Sequence, residues 1–481
     1  MLEEALVAAS PRLSPERLGL KSLFIHGAVL AVWIVLLSRA FASDTIAAWS
    51  VGLAYIAYDT LLIAIVFRQT LPLIRARQDR IAAGLAPSLS VIVAAHDEAA
   101  VLPITVAALL AQDAPAEMIL IADDGSCDAT PQALRAFGLD QPAVGAVAAS
   151  KTYPNLTWLR LPHGGKARAL NAALLTLDTD LVVTVDADTR LDPGATAALR
   201  AAFAADARLV AATGILTPVC GPSLAGRFYE YFQTYEYIRN FLSRYAWGRV
   251  DALLLISGAF AAFRRDAVLR VGGFDPACMV EDYELIHRLR RYGARHGLGW
   301  TTNVVGGARA ITDAPATTGA FLRQRRRWFC GFLQTQLWYR EMVGDARYGR
   351  VGQFMLPIKA FDTLQPIYGL VSFVLLVVYI AEGRGVLLLP IGGVIASKIV
   401  IDFLFHMWSV HLYRRWVDPR TSAGPGRAVL ASVLEPFTFQ ILRHLGAALG
   451  WVSFLTGRRT WGQQRRRGLV AARAPETTVA R

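Results

Sequence analysis

The rhythm of hydrophobic and polar positions divides the chain into stretches of different kinds. Residues 21–39 and 44–68 are apolar runs, the second interrupted only by Asp59. Runs of that length predict a hairpin of membrane helices. From Ser88 the pattern shortens to LSVIVAA, MILIADD, LTWLRLP, LVVTVDAD and LVAATGI, separated by Ala- and Leu-rich segments such as 166–177. Strands alternating with helices predict an α/β domain built on a parallel, doubly wound sheet. In 224–247, Phe228, Tyr231, Phe232, Tyr235, Ile238, Leu242 and Tyr245 recur at helical spacing. Such a stripe reads as core-facing, with a path for sugar rings as the alternative. Residues 253–263 read as a strand and turn, Glu281-Asp282 opens a helix, and 322–331 forms another. The apolar segments 363–381 and 386–410, parted by the short loop 382–385, predict a second membrane hairpin.

Polar residues fall where this pattern leaves room for chemistry. His96-Asp97-Glu98, Asp123-Asp124-Gly125-Ser126, His163-Gly164-Gly165-Lys166 and Asp186-Ala187-Asp188 each follow a predicted strand directly. They therefore share one edge of the sheet, where ligands bind in open α/β folds. In Asp186-Ala187-Asp188 the period of two puts both carboxylates on one side of an extended backbone. Hard oxygen ligands so placed suit Mg²⁺ or Mn²⁺ carrying a diphosphate. The alternative is a strand-to-helix turn in which Asp186 satisfies backbone amides and Asp188 is solvated. No G-x-G-x-x-G follows the first strand, which counts against a dehydrogenase-type dinucleotide fold. The run LRQRRRWFCG at 322–331 has two readings as well. It is a basic surface at lipid headgroups, or Gln324 and Arg327 share a helix face beside Trp328 and receive a diphosphate and a sugar ring. Lys398 and Asp402, at i and i+4 in the second hairpin, read as a structural ion pair, with the polar wall of a translocation path as the alternative.

Composition changes the picture in one respect. With 54% hydrophobic residues and a mean hydropathy of +0.37, the chain is too apolar for an ordinary soluble enzyme. The net charge of +13 raises nucleic acid as a partner. The basic residues, however, gather beside apolar segments, and no nucleic-acid-binding motif accompanies them. Arg12, Arg17 and Lys21 precede the first hairpin, and Arg68, Arg75, Arg77 and Arg80 follow it. The positive-inside rule therefore puts both of its ends, and the domain between the hairpins, in the cytoplasm. Arg414, Arg415, Arg420 and Arg427, and later Arg458, Arg459 and Arg465 to Arg467, mark two further cytoplasmic stretches. One span cannot join two cytoplasmic ends, so the region between them is predicted to be interfacial or re-entrant. Cys127, Cys220, Cys278 and Cys330 lie far apart, which indicates neither a zinc site nor a disulfide framework. No cleavable signal is expected at the N-terminus.

Taken in order, Asp123-Asp124-Gly125-Ser126, Asp186-Ala187-Asp188, Glu281-Asp282 and Gln324-x-x-Arg327-Trp328, set between membrane hairpins, resemble the processive membrane glycosyltransferases of family 2. Cellulose, hyaluronan, chitin and poly-N-acetylglucosamine synthases share that pattern, and the resemblance covers about residues 20–410. It implies a cytoplasmic type A glycosyltransferase fold of the nucleotide-diphospho-sugar transferase kind, inserted between transmembrane hairpins of a multi-pass inner-membrane protein. By that likeness Asp123 and Asp124 hold the nucleoside, Lys166 the donor phosphates, and Asp186 with Asp188 the Mg²⁺ or Mn²⁺. Asp282 is the general base beside Glu281, Arg327 and Gln324 grip the diphosphate, and Gln324 and Trp328 meet the acceptor end. The implied partners are a UDP-sugar donor, a polysaccharide or glycolipid acceptor, the lipid bilayer and accessory export subunits, with no nucleic acid. Many relatives carry Thr before Glu-Asp where Val280 stands here, and no cyclic-di-GMP-binding appendage is expected.

The expected organisation is a cytoplasmic tail at 1–20, a transmembrane hairpin at 21–67, a basic linker at 68–86 and the glycosyltransferase domain at 87–335. An interfacial segment at 336–361, a second hairpin at 362–410, a basic loop with interfacial or re-entrant helices at 411–457 and a basic cytoplasmic tail at 458–481 follow. The expected activity is inverting transfer that extends a β-linked polysaccharide, with export. A single transfer to a lipid acceptor is the first alternative, and a non-catalytic nucleotide-sugar receptor is another.

Overall fold

The computed structural model describes residues 1–42, 45–75, 86–418, 421, 423–458 and 468–472. Asp44, Arg77, Arg80, Arg420, Arg459 and Arg465 to Arg467, with most of the linker 68–86 and of the tail 458–481, lie outside the described residues.

The apolar runs fold as strands β1 (Leu89–Ala95), β2 (Met118–Asp123), β3 (Val147–Ala149), β4 (Leu156–Arg160), β5 (Leu181–Asp186), β6 (Thr189–Leu191), β7 (Leu209–Val219), β8 (Phe260–Arg264) and β9 (Thr301–Asp313). All nine join one sheet in the order β3-β4-β2-β1-β5-β8-β7-β9-β6. Strands β4, β2, β1 and β5 are parallel neighbours, as the alternation with helices implies. Their runs are apolar on both sides because both faces are covered. Ile92, Leu120 and Val182 enter one core, whereas Val91, Val93, Ile119, Val183 and Val185 enter the other.

Beyond β5 the expectation of a parallel sheet needs correction, because β8 runs antiparallel to both β5 and β7 while β7 and β9 are parallel. The cause is the connection. After β7 the chain runs into a 26-residue helix, Leu224–Arg249, which at 1.5 Å per residue is about 39 Å long, too long for a crossover laid on the sheet. The chain returns at the end it left, and β8 comes back reversed. Of 253–263, read as strand and turn, only the part from Phe260 pairs.

Among the described residues, four helical stretches are long and apolar enough to cross a membrane: Leu20–Ala40, Ile46–Ile74, Val351–Ala381 and Gly385–Trp416. The third starts with a π-helical turn, Val351–Met355, inside the stretch expected to be interfacial. The aromatic helix Leu224–Arg249 joins this apolar layer to the sheet domain. Its Tyr235, Ile238 and Leu242 pack with Val410 and Tyr413 of the fourth span, and its Phe232 packs with Phe321 and Phe439. The stripe is thus core at Phe232, Tyr235, Ile238 and Leu242, whereas Tyr231 and Tyr245 are half-buried and Phe228 is exposed. The 411–457 region contains the helices Pro425–Leu434 and Phe439–Leu455. The second, called here the closing helix, lies along the arginine-rich helix Thr318–Trp338. They approach closely at two glycines: a Cβ at Gly446 would stand 2.5 Å from Arg325 Cβ, and one at Gly450 2.7 Å from Phe329 Cβ.

The segment 1–20, expected as a tail, docks on the sheet domain instead. Helix Leu2–Ala9 buries Leu6 and Ala9, and Arg12 donates two 2.9 Å hydrogen bonds to the buried Asp275. Gly272 makes the docking possible, because its φ is +87° and a side chain there would meet the Leu6 backbone.

Candidate active site

The four polar clusters do meet at one sheet edge. Asp123 ends β2 fully buried and accepts from the amide of Ser126 (2.8 Å) and the indole of Trp158 (3.2 Å). Asp124 accepts from the amides of Gly164 (2.7 Å) and Gly165 (2.9 Å), so it fixes the loop that leads into the helix of Lys166. The rings of His96 and His163 stack with centroids 4.3 Å apart and planes at 23°. Both Nδ1 atoms face the Asp124 carbonyl oxygen, at 2.9 and 3.1 Å. Although ligand atoms of His96, Asp124 and His163 lie within 4.8 Å of one another, two nearly parallel rings cannot aim in-plane lone pairs at one ion. The trio is a loop brace.

Asp186 is the last residue of β5. Ala187 and Asp188 form a turn before β6, so the period-two argument does not extend to Asp188. Asp188 is buried and its carbonyl accepts from the Asp313 amide at the end of β9, the strand that pairs with β6. This donor set is two carboxylates, hard oxygen ligands that fit Mg²⁺ or Mn²⁺.

Lys166 reaches the same place from the first turn of its helix, with Nζ 2.5 Å from Asp186 and 3.6 Å from Glu281. Burial opposes its charge, yet Asp186, Glu281 and Asp282 outweigh that and hold its pKa above the ordinary lysine value. Burial also pushes the Glu281 carboxyl up, with Lys166 pulling it down and Asp282 pushing it further up. Glu281 and Asp282 open the helix Glu281–Arg295, where unpaired amides favour carboxylates. Half-buried Asp282 accepts from the Gly258 amide at 2.6 Å, and a Cβ at Gly258 would collide with it. The loop before β8 therefore needs a glycine there.

The arginine-rich helix comes close to this acidic pair because Gly331 faces Val280, whose methyl would stand 2.4 Å from a Cβ. Val280, the residue that departs from the pattern of relatives, is thus a packing contact. Arg327 donates to the Met279 carbonyl at 3.3 Å and lowers the Glu281 pKa. Gln324 is buried, and its amide oxygen has no hydrogen-bond partner among the described residues. Trp328 is half-buried against the core cluster that contains Val280 and Tyr283.

Two groups at this site had no role in the sequence reading. Arg244 of the aromatic helix is held below the ordinary arginine value by burial, while Tyr237 and Asp282 draw it up. Glu236 is buried among the aromatic residues and pairs with Arg325 at 2.7 Å. A carboxylate set within an aromatic stripe was the available signal for it, since such a charge is buried only with a partner.

Comparison with known proteins agrees with this architecture. The family model described as "Glycosyl transferase family group 2" matches residues 181–401. A poly-beta-1,6-N-acetyl-D-glucosamine synthase of Staphylococcus epidermidis is 24% identical over 297 residues, 61% of this chain and 66% of its own length. A synthase of the same name from Staphylococcus aureus strain COL is 27% identical over 246 residues, 50% of this chain and 54% of its own. The chain thus spans about half to two thirds of the curated relatives it matches. A solved structure titled mannosyltransferase PcManGT from Pyrobaculum calidifontis, in complex with GDP-Man and Mn2+, superposes with a TM-score of 0.54 at 18% identity, covering 81% of this chain and 99% of that one. Residues 181–401 are thus similar to glycosyl transferase family group 2, and the chain shares the mixed α/β fold of the mannosyltransferase structure.

Proposed function

We propose that this chain is a membrane-embedded inverting glycosyltransferase that uses a nucleoside diphosphate sugar, most simply a UDP-sugar, to extend a β-linked polysaccharide and pass it across the membrane. The observation that carries the reading is the convergence of Lys166, Asp186 and Glu281-Asp282 from three separate elements on one point, with Arg327 beside them. A diphosphate is already a good leaving group, so cationic neutralisation is the main requirement. Lys166 and Arg327 hold the donor phosphates. A divalent cation held by Asp186 and Asp188 would supply further positive charge to the departing diphosphate. Asp282, oriented by the Gly258 amide, takes the acceptor hydroxyl's proton as that oxygen attacks the anomeric carbon from the face opposite the diphosphate. Attack from that side turns an α-linked donor into a β-linked product. Trp328 offers an indole face on which the acceptor's terminal sugar rests and from which it slides after each transfer. Asp123 and Asp124 shape the nucleoside side of the cleft through the loop they brace.

Arginine placement supports a cytoplasmic catalytic domain in a plasma-membrane protein with cytoplasmic ends. Activity of a periplasm-only reporter fused at the C-terminus would overturn that topology. A second reading is single transfer to a lipid acceptor, and the mannosyltransferase solved with GDP-Man and Mn2+ adds GDP-mannose as a donor to test. One experiment separates them. The purified protein is incubated with a panel of UDP-sugars and GDP-mannose with Mg²⁺ or Mn²⁺, nucleotide release is measured, and products are sized by mass spectrometry. A ladder of chain lengths supports polymerisation, whereas adducts of one sugar on lipid would replace it with the second reading.

A further inference from the structure

The arginine-rich helix carries an arginine that the reaction above leaves unused. Arg325 lies with its Cζ 4.5 Å from the centroid of the Trp328 ring and 4.7 Å from that of Phe321. Its two terminal nitrogens donate to the two oxygens of Glu236, at 3.0 and 2.7 Å. Glu236 is only 3% exposed, belongs to the aromatic helix, and also pairs with Arg443 of the closing helix at 3.3 Å. The arrangement is therefore built from three helices, and Gly446 opposite Arg325 leaves the space for it.

An indole has two faces. A guanidinium over one of them is attracted by the ring and excludes a sugar from that side. A two-pronged arginine–carboxylate pair is planar and fixes orientation as well as charge, unlike a lysine's point contact. Glu236 cannot release Arg325 cheaply, because its carboxylate would be left buried with Arg443 alone. The ring is thus held in one pose with one face covered by Arg325.

We propose that Arg325, held by Glu236, is a positioning residue for acceptor binding: it covers one face of Trp328 and so dictates the face and depth at which the terminal sugar of the growing chain lies. The claim rests on the reading of Trp328 as the acceptor platform. Neither Arg325 nor Glu236 touches the reacting atoms. Their effect belongs in acceptor affinity and product length, and leaves donor binding alone.

The test compares the wild type, Arg325→Lys, Trp328→Ala, the double variant, and the exchange Arg325→Glu with Glu236→Arg, in the full-length purified protein. Acceptor KM with a short oligosaccharide, donor KM, product length and the thermal midpoint are measured for each. Arg325→Lys is expected to raise acceptor KM about tenfold and shorten the products, with donor KM within about twofold of wild type. In the Trp328→Ala background the same change is expected to do nothing further, because Arg325 acts through the ring. The exchange keeps an ion pair but removes the cation from the ring and puts a second guanidinium beside Arg443, so a lower midpoint together with impaired elongation is expected. Full additivity of Arg325→Lys and Trp328→Ala would overturn the proposal, as would an exchange that restores wild-type chain length. A wild type that transfers one sugar only would sink chain extension instead. The cycle would then be read on the KM of the single-transfer acceptor, with the same two overturning outcomes.

Discussion

Two lysines in this molecule each stand between two carboxylates, in different settings. In the cleft, Lys166 lies between Asp186 at the end of a strand and Glu281 at the start of a helix. In the apolar layer, Lys398 of the fourth span pairs with Asp402 one turn away and with Asp59 of the second span at 2.8 Å. The unit in the apolar layer draws its groups from the middles of helices, joins the two hairpins and lines a cavity of about 340 Å³ between them. The cleft unit draws its groups from element ends at a sheet edge, where a ligand's phosphate can compete for the lysine and a cation for the carboxylates. Composition is shared. Position along the element differs.

The largest effect that would expose this difference is in the cleft. Asp282→Asn keeps the shape and the Gly258 contact but removes the proposed base, and is expected to lower turnover by about 10²- to 10⁴-fold. UDP affinity by calorimetry should stay near wild type. A variant that retains most of its turnover would remove Asp282 from the base role.

In the membrane, Lys398→Met leaves Asp59 and Asp402 facing each other without their cation. A loss of about 3 kcal/mol in stability is expected, read as a lower thermal midpoint in detergent, with donor KM unchanged. Adding Asp59→Asn and Asp402→Asn should restore most of the midpoint. Failure of that rescue would show that Lys398 does more than clip the hairpins.

The matching change in the cleft is Lys166→Met, for which donor KM should rise about tenfold to a hundredfold with little change in midpoint. Asp188→Asn should in turn weaken UDP binding in Mg²⁺ or Mn²⁺ more than in chelator. Equal UDP affinity with and without the metal in the wild type would refute the carboxylate pair as its holder.

His287 gives the smallest and most general contrast, a buried ionisable group with no carboxylate at hand. Burial lowers its pKa from 6.5 to about 4, with the Tyr283 carbonyl drawing it up and Lys359 pushing it down. The folded state thus favours neutral imidazole. Its contribution is complete above pH 6.5 and is lost as pH falls toward 4, amounting to about 1 kcal/mol by pH 5.5. The fall in thermal midpoint between pH 7.5 and 5.5 should be smaller in His287→Gln than in wild type.

Much of the cleft was legible because strand ends announce themselves: an apolar run that stops in Asp186 or Asp123 places its carboxylate on the ligand edge. The helix carrying Gln324, Arg327 and Trp328 was legible by spacing. What stayed hidden depended on contacts far apart in the chain. Nothing near Lys398 points to Asp59, and nothing in the four arginines of 323–327 distinguishes Arg325, clamped by Glu236, from the exposed Arg323. The reversal of β8 was hidden for the same reason, since local pattern reports that a strand exists and not which way it runs. The docked helix Leu2–Ala9 looked like a tail because its two buried residues, Leu6 and Ala9, are too few to make a stripe.

The glycine contact between the closing helix and the arginine-rich helix has a consequence for the order of events during synthesis. Sheet, cleft carboxylates and arginine-rich helix are all complete once the ribosome has passed Trp338. The helix that braces Arg325 from the other side lies downstream of both C-terminal spans. A nascent chain therefore has its sheet, carboxylates and arginine-rich helix before the closing helix that backs Arg325 is made. On the proposed reading of Trp328 as acceptor platform, the donor side of the cleft precedes the braced acceptor side in chain order.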